Sequence, residues 1–401
     1  MHFSTPGLAR QLVFFLLSIV LAGSLLAGDG AKIHIRGSVF EDSNENGIRD
    51  AGEKGLAKVV LSDGNQVLQS GGDGGYQLDS EVEILFVSVP VGYRATASFW
   101  HRIAEGSASA QDFALIRLPE VERFDFIHAS DTHLNEQTLP RFLRLKEIVA
   151  QRKPHFVLIT GDLIKDALRV PEEVASGLYE LFLKEIADFP VPVWLVPGNH
   201  EIFGIERHHS LVSKDHPLYG KKMYRKFLGP NYYSFNYGRI HFIGLDSVGI
   251  NDLWYYGWVD GQQLAWLEKD LAQVAPGTTV VTFNHIPFYS AAQTIWTYTD
   301  TGPAPTLIKV GDKTQFRHGV ANTQEVLAHF KDHRLTLALA GHTHVGERLV
   351  FETVGQRTRF HQSSAVVGPV ADNASGVFHY RVDGDHIDNG TFIPLDAAKK
   401  E

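Results

Sequence analysis

The sequence predicts an α/β domain preceded by a small all-β domain, and three observations carry that expectation. From residue 124 onward, apolar strand-like runs alternate with amphipathic helical stretches, the pattern of a layered α/β sheet. Residues 32–117 instead hold short alternating segments broken by glycine-rich turns, with no helical period. The length of 401 residues exceeds one average domain and suits two. The expected divisions are a signal peptide over 1–27, a small β-sandwich over 28–118 and the α/β domain over 119–396.

In the first part, 33–36, 58–61 and 85–89 read as strands and 71–75 as a glycine turn, the content of a small β-sandwich. In the second, 124–130 is a buried-type strand and 139–149 carries apolar residues at helical spacing. Strand 155–160, helix 171–188 and strand 191–197 follow, then strands 240–245, 280–284 and 335–340 with helices 262–274 and 323–333. Beyond Gly346 the chain returns to short strands. Two stretches, 201–237 and 288–319, read as insertions.

Composition narrows the class. The formal charge of -9 argues against a polyanionic partner, so no nucleic-acid polymer is expected. The absence of cysteine excludes thiolate metal sites, structural disulfides, a cysteine nucleophile and a lipoprotein signal. Arg10 is the only Lys, Arg, Asp or Glu before Asp29, and an apolar run over 12–27 follows it, with Ser24, Ala27 and Gly28 as small residues for cleavage. That run falls short of the roughly 20 residues a spanning helix needs and reads as a secretory leader, placing the mature protein in the periplasm or outside the cell. An uncleaved membrane anchor is the alternative.

Five polar clusters stand where strand-like segments end, which is where open α/β sheets build sites. They are Asp131-Thr132-His133, Gly161-Asp162, Gly198-Asn199-His200-Glu201, His285-Ile286-Pro287 and Gly341-His342-Thr343-His344. Singly, each is ordinary turn chemistry. Jointly they supply two Asp, one Asn and four His as hard or borderline donors, with no sulfur, and Asp246 ends the one strand in the series left bland. Two divalent ions about 4 Å apart require a shared ligand, which a two-oxygen carboxylate provides. Seven donors with one shared leave open positions on each ion, a catalytic rather than a closed structural count.

The pattern D-x-H, G-D, G-N-H-D/E, H, G-H-x-H, met in full across residues 124–393, resembles the calcineurin-like metallophosphoesterases. That resemblance implies a four-layer αββα sandwich and hydrolysis of phosphomonoesters or phosphodiesters by in-line attack of a metal-bridging hydroxide. It places Asp131, His133 and His344 on a first metal, Asn199, His285 and His342 on a second, and Asp162 between them. His200 is implied to contact the phosphate and act on the leaving oxygen. The purple acid phosphatases carry a tyrosine where this chain has Lys165, and their first motif lacks the histidine present here as His133. A ferric-tyrosinate site is therefore not expected, and two divalent transition metals, Mn, Fe or Zn, are.

Residues 42–53 match a twelve-residue Ca²⁺ loop, with oxygens from Asp42, Asn44, Asn46, Asp50 and Glu53, the Ile48 carbonyl, and glycine at position 6. Strand-like flanks distinguish it from an EF-hand. It resembles the Ca-binding loop of adhesin B-type repeats, and the segment to Tyr93 resembles the N-terminal domain of an exported bacterial metallophosphoesterase subgroup. A structural Ca²⁺ follows from that reading.

The two insertions, with aromatics Tyr289, Trp296 and Tyr298 beside Pro303 and Pro305, and the run 254–258 rim the expected cleft or simply pack the loops down, while His208, His209 and His216 read as solvent-exposed or supporting residues and not as extra ligands. The expected substrate is a small phosphorylated molecule, without stable membrane insertion unless the leader is retained. A nucleotidase or cyclic-nucleotide phosphodiesterase, and a non-catalytic surface binding protein, are the alternatives.

Overall fold

The structure is a computed structural model that describes residues 32–103, 110–292, 298–301, 305–353, 356–369 and 374–396. The leader, Trp296 and Pro303 lie outside these. The N-terminal part contains β1 (Ile33–Glu41), β2 (Val60–Ser62), β3 (Val67–Gln69), β4 (Gly75–Ser80), β5 (Ile84–Ser88), β6 (Tyr93–Ala95), β7 (Trp100–Arg102) and β8 (Phe113–Arg117). They form two four-stranded sheets, β4-β1-β8-β6 and β3-β2-β5-β7, with β1 and β8 parallel and the other pairs antiparallel.

The α/β part opens with β9 (Arg123–Ala129), α1 (Leu139–Arg152), β10 (Phe156–Thr160), α2 (Glu172–Ile186) and β11 (Val193–Val196). After a 3₁₀ turn at Asn199–Glu201 come α3 (Arg207–Ser210), α4 (Lys222–Leu228), β12 (Tyr233–Tyr237), β13 (Ile240–Gly244), β14 (Val248–Asn251) and β15 (Trp254–Gly257). Next are α5 (Gly261–Leu271), β16 (Thr279–Phe283), the hairpin β17 (Leu307–Val310) and β18 (Lys313–Phe316), α6 (Thr323–Ala328) and β19 (Arg334–Ala340). The chain closes with β20 (Glu347–Thr353), β21 (Gln356–Gln362), β22 (Gly376–Asp383), β23 (His386–Ile387) and β24 (Thr391–Pro394).

Two six-stranded sheets result: β11-β10-β9-β22-β23, with β24 also on β22, and β12-β13-β16-β19-β21-β20. Strands β10, β13 and β16 are buried along their whole length, as apolar strands covered on both faces must be. On β9 and β10 the side chains divide by face. Phe126, Phe156 and Leu158 point to the second sheet, where Phe126 and Phe156 meet Phe242 edge-on, while Ile127, Ala129, Val157 and Ile159 share a cluster with α1 and α2. Helix α1 buries Phe142, Leu145, Ile148 and Val149 on one stripe and ends at Lys153 in the left-handed conformation, whose N–H donates to the Val149 carbonyl. Helix α5 starts at Asp260, whose side chain accepts from Gln263 N, and lays Trp266 and Leu267 into the core of the second sheet. The layers are helices, sheet, sheet, helices.

Two expectations shift, and one feature joins the two parts. Residues 233–237, read as part of an insertion, form β12 and pair antiparallel with β13; the aromatic run Tyr-Ser-Phe-Asn-Tyr is strand chemistry that only the partner strand reveals. Helix α6 ends earlier than its apolar spacing implies, because the chain must turn through Phe330 and His333 to enter β19 at Arg334. The N-terminal sheets are also not separately cored. Val39, Leu61, Leu78, Phe86 and Phe113 belong to the same contiguous cluster as Phe235, Phe242 and Trp266. At that seam Val89 bridges Phe235 and its carbonyl accepts from Asn236 N at 2.9 Å, the Ser88 and Ser234 hydroxyls lie 2.9 Å apart, and Phe86 meets Trp266 edge-on. Strand β5 is consequently buried on both faces.

Loop 42–53 closes largely on itself. Asp42 accepts from the amides of Asn46 and Gly47 and from Thr96, Glu53 accepts from the amides of Ser43 and Asp50, and Asp50 accepts from the side chains of Asn44 and Asn46. Ile48 is exposed and its N–H donates to the Asn46 side chain.

Candidate metal centre

Strands β9, β10 and β11 run parallel in the first sheet, and β13, β16 and β19 run parallel in the second. Their C-terminal ends meet across the seam between sheets, which brings all five motifs together. Asp246, at the end of β13, is the exception and is spent on the fold: it pairs with Lys221 at 2.7 Å and accepts from Asn231 and from Val248 N.

The donors fall into two groups. In the first, Asp131 Oδ1 lies 3.2 Å from His344 Nε2, and His133 Nε2 lies 3.3 Å from the same nitrogen. In the second, His285 Nε2 lies 3.1 Å from Asn199 Oδ1 and 3.2 Å from His342 Nδ1. Asp162 Oδ2 is common to both, 3.6 Å from His133 Nε2 and 3.2 Å from His285 Nε2. A tetrahedral ion with bonds of about 2.1 Å sets its donors about 3.4 Å apart, which is the spacing seen. All seven predicted donors are therefore brought together, and His200 stands beside them, its Nε2 3.9 Å from Asp162 Oδ2.

Two features fit a pair of cations. Ring nitrogens face one another in each group, and the buried Asp131 Oδ1, 3.2 Å from His344 Nε2, makes no well-formed hydrogen bond among the described residues. The electrostatics agree. Burial opposes charge on Asp162, yet His285 and His200 hold its carboxyl far below the usual range. Burial likewise opposes a proton on His285, but Asp162 and Asp131 push its pKa up to about 9. His344 is raised against burial by Asp131. His133, where burial and His200 prevail, falls to about 4. The two buried carboxylates thus favour positive charge at His285 and His344, the charge that bound cations would supply in place of protons.

The backbone is shaped to this end. Five of the seven donors, Asp131, His133, Asp162, His342 and His344, have φ between 39° and 73°, a region costing about 1–3 kcal/mol for such residues. They are half of the ten non-glycine residues with positive φ among the described ones, so strain is concentrated here. Gly198 is required by approach: a Cβ there would sit 2.2 Å from Asp162 N and 2.3 Å from its Oδ1.

Hydrogen bonds set the tautomers. His285 Nδ1 donates to the Thr160 carbonyl at 2.7 Å, which turns the Nε2 lone pair inward. His200 Nδ1 donates to the Lys165 carbonyl at 2.7 Å, and the His200 amide donates to Asp162 Oδ1. His342 N donates to Asp131 Oδ2.

Two further residues have roles here that sequence reasoning did not assign. Glu201, fully buried, accepts from the amides of Leu163, Ile164 and Gly198, and so ties the loop of Asp162 to the loop of Asn199. Burial and the charge on Asp162 push its carboxyl up to about 8, against those amides. His318, from the insertion after His285, places its Nδ1 2.8 Å from His342 Nε2. Nothing in its neighbourhood in the chain marks it.

The loop aromatics are mostly packed rather than projecting. Tyr255 is buried with its ring edge toward His342, Tyr289 stacks on Phe351, and Tyr298 is exposed beside Phe316. His208 and His209 are exposed next to Glu206, whose carboxylate is gripped by Arg169, and His216 pairs with Glu172.

The fold and this shared-carboxylate donor set define a metal-dependent hydrolase of phosphoric esters. The chain belongs to the calcineurin-like phosphoesterase family, whose model matches residues 124–346, and the companion model for the N terminal of calcineurin-like phosphoesterase matches residues 43–118. Among solved structures, the chain is similar to a dimetal phosphatase from Danio rerio (15% identity, 68% of this chain and 99% of that one, TM-score 0.43). It is also similar to the anchor in the inner membrane complex of Plasmodium (14% identity, 70% of this chain and 86% of that one, TM-score 0.42). No curated protein matches the chain.

Proposed function

We propose that this phosphoesterase is an exported enzyme acting on small phosphorylated molecules, with Asp131, His133 and His344 holding one divalent transition metal, Asn199, His285 and His342 a second, and Asp162 shared. The observation that carries the assignment is that one oxygen, Asp162 Oδ2, lies within 3.6 Å of donors from both groups. Nitrogen and oxygen donors without sulfur suit Mn, Fe or Zn. Divalent cations in such a pair lower the pKa of water and offset charge on the phosphoryl oxygens.

The chain's own residues do the rest. His200 donates its Nδ1–H to the Lys165 carbonyl, which leaves Nε2 facing the site, and in its doubly protonated form Nε2 would pass a proton to the departing oxygen. The hydrogen bond that its backbone N–H donates to Asp162 Oδ1 fixes its distance to the shared carboxylate. The negative formal charge favours small anions drawn in by the metals over a polyanion. Export is supported by the apolar run over 12–27 behind Arg10; among the described residues no helix is long and apolar enough to cross a membrane. Loop 42–53 is the candidate site for a structural Ca²⁺.

The test is metal analysis by mass spectrometry with hydrolysis of p-nitrophenyl phosphate against bis(p-nitrophenyl) phosphate in Mn²⁺, Zn²⁺ and Fe²⁺. Two metals per chain and turnover of either ester are expected, and the preferred ester separates monoesterase from diesterase. Less than one transition metal per chain with no turnover would establish the binding-protein alternative instead.

A further inference from the structure

We propose that His318 is a positioning residue for the metal ligand His342, so that the insertion over 288–319 serves the metal centre and not only its rim. This rests on the reading of His342 as a ligand. His342 turns Nδ1 toward His285 Nε2 at 3.2 Å and Nε2 toward His318 Nδ1 at 2.8 Å. The ring centroids lie 5.0 Å apart with planes 24° from parallel, so with the nitrogens at 2.8 Å the rings meet nitrogen to nitrogen and not face to face. A ring whose Nδ1 lone pair faces a cation keeps its proton on Nε2, and that proton needs an acceptor. His318 Nδ1 is that acceptor. His342 sits on strained backbone with φ of 73°, so outside contacts are needed to hold its ring in one orientation.

His318 is itself rigidly held. On one side Arg317 N donates to the Thr306 carbonyl and the Arg317 carbonyl accepts from Gly257 N. The Arg317 guanidinium donates to the carbonyls of Tyr255 and Pro305 and lies 4.2 Å from the Tyr255 ring centre and 4.8 Å from that of Trp254. It is 3% exposed, and no described carboxylate pairs with it. Burying an unpaired cation is costly, and the cost is met here by two carbonyls and two ring faces. On the other side Val320 N donates to the Pro287 carbonyl and Ala321 N to that of Gly257. The insertion is thus clamped to β15, and the clamp ends in the imidazole that faces His342.

Manganese titration of the chelator-stripped full-length chain tests this by calorimetry, with melting temperature measured in chelator. Wild type is expected to bind two Mn²⁺. His318→Ala and His318→Phe should weaken one of the two sites by about 10–100-fold while sparing the other. His318→Gln, which retains an acceptor, should restore most of the loss, and the melting temperature in chelator should stay near that of wild type in all three. Two unchanged Mn²⁺ affinities in the Ala and Phe variants would overturn the proposal, as would weakening that Gln fails to rescue. If wild type binds two ions, His342→Ala loses one and the His318 variants lose none, only this proposal fails; if wild type binds fewer than two, the ligand reading fails with it.

Discussion

Replacing Glu201 with alanine should cost this protein both stability and metal. The carboxylate is fully buried, and its oxygens accept from Leu163 N at 2.8 Å, Ile164 N at 3.1 Å and Gly198 N at 2.6 Å. Truncation strips three buried amides of their acceptor, each worth about 1–3 kcal/mol. Water entering the vacated space recovers part of this, so a loss of about 3–5 kcal/mol is expected. That is a large fraction of the roughly 5–15 kcal/mol that holds a typical protein folded. The melting temperature in chelator should fall by on the order of 10 °C. Because those amides flank Asp162 and Asn199, Mn²⁺ affinity should fall at both sites. Circular dichroism melts in chelator, followed by Mn²⁺ titration, measure the two effects separately. A variant that melts within about 2 °C of wild type and binds metal normally would show that the carboxylate does not hold these loops.

Other expectations are as direct. His200→Ala should lower kcat by about 100- to 10,000-fold while leaving two metals bound, and a fully active variant removes the acid role. Asp125 is held below the usual carboxylate range because hydrogen bonds from His379 (2.6 Å) and His155 (2.7 Å) outweigh burial. A depressed folded pKa stabilises the protein above the unfolded value of 3.8, and that stability is lost as the pH falls through the folded one. The melting temperature of Asp125→Asn should therefore trail wild type at neutral pH, and the gap should narrow as the pH falls below 3.8; a constant gap contradicts the linkage. Ca²⁺ added to stripped protein should raise the melting temperature of wild type but not of Asp50→Asn, and no rise in wild type removes the calcium reading.

What was legible in the chain was local chemistry repeated at strand ends. Asp131, Asp162, Asn199, His285 and His342 each follow an apolar run, and the five strands that carry them, parallel within each sheet, deliver them to one place. What escaped was set by contacts between distant segments. His318 has meaning only against His342, which lies across a separate strand, and Glu201 is visible as a residue while its three amide partners are not. Residues 233–237 looked like loop because their strand partner, β13, supplies half of the pattern. The packed state of Tyr255 depends on Arg317, sixty-two positions away.

The seam at β5 sets a limit on how such a protein is assembled from parts. A strand with both faces covered has no surface of its own: one face belongs to β1 and its neighbours, the other to β12 and α5. Severing the chain near residue 118 would open an oily wound on both pieces, Phe86 and Val89 on one and Phe235 and Trp266 on the other. The N-terminal part is therefore heritable only together with its dock, and recombination that swapped it for another β-domain would have to bring a matching strand along.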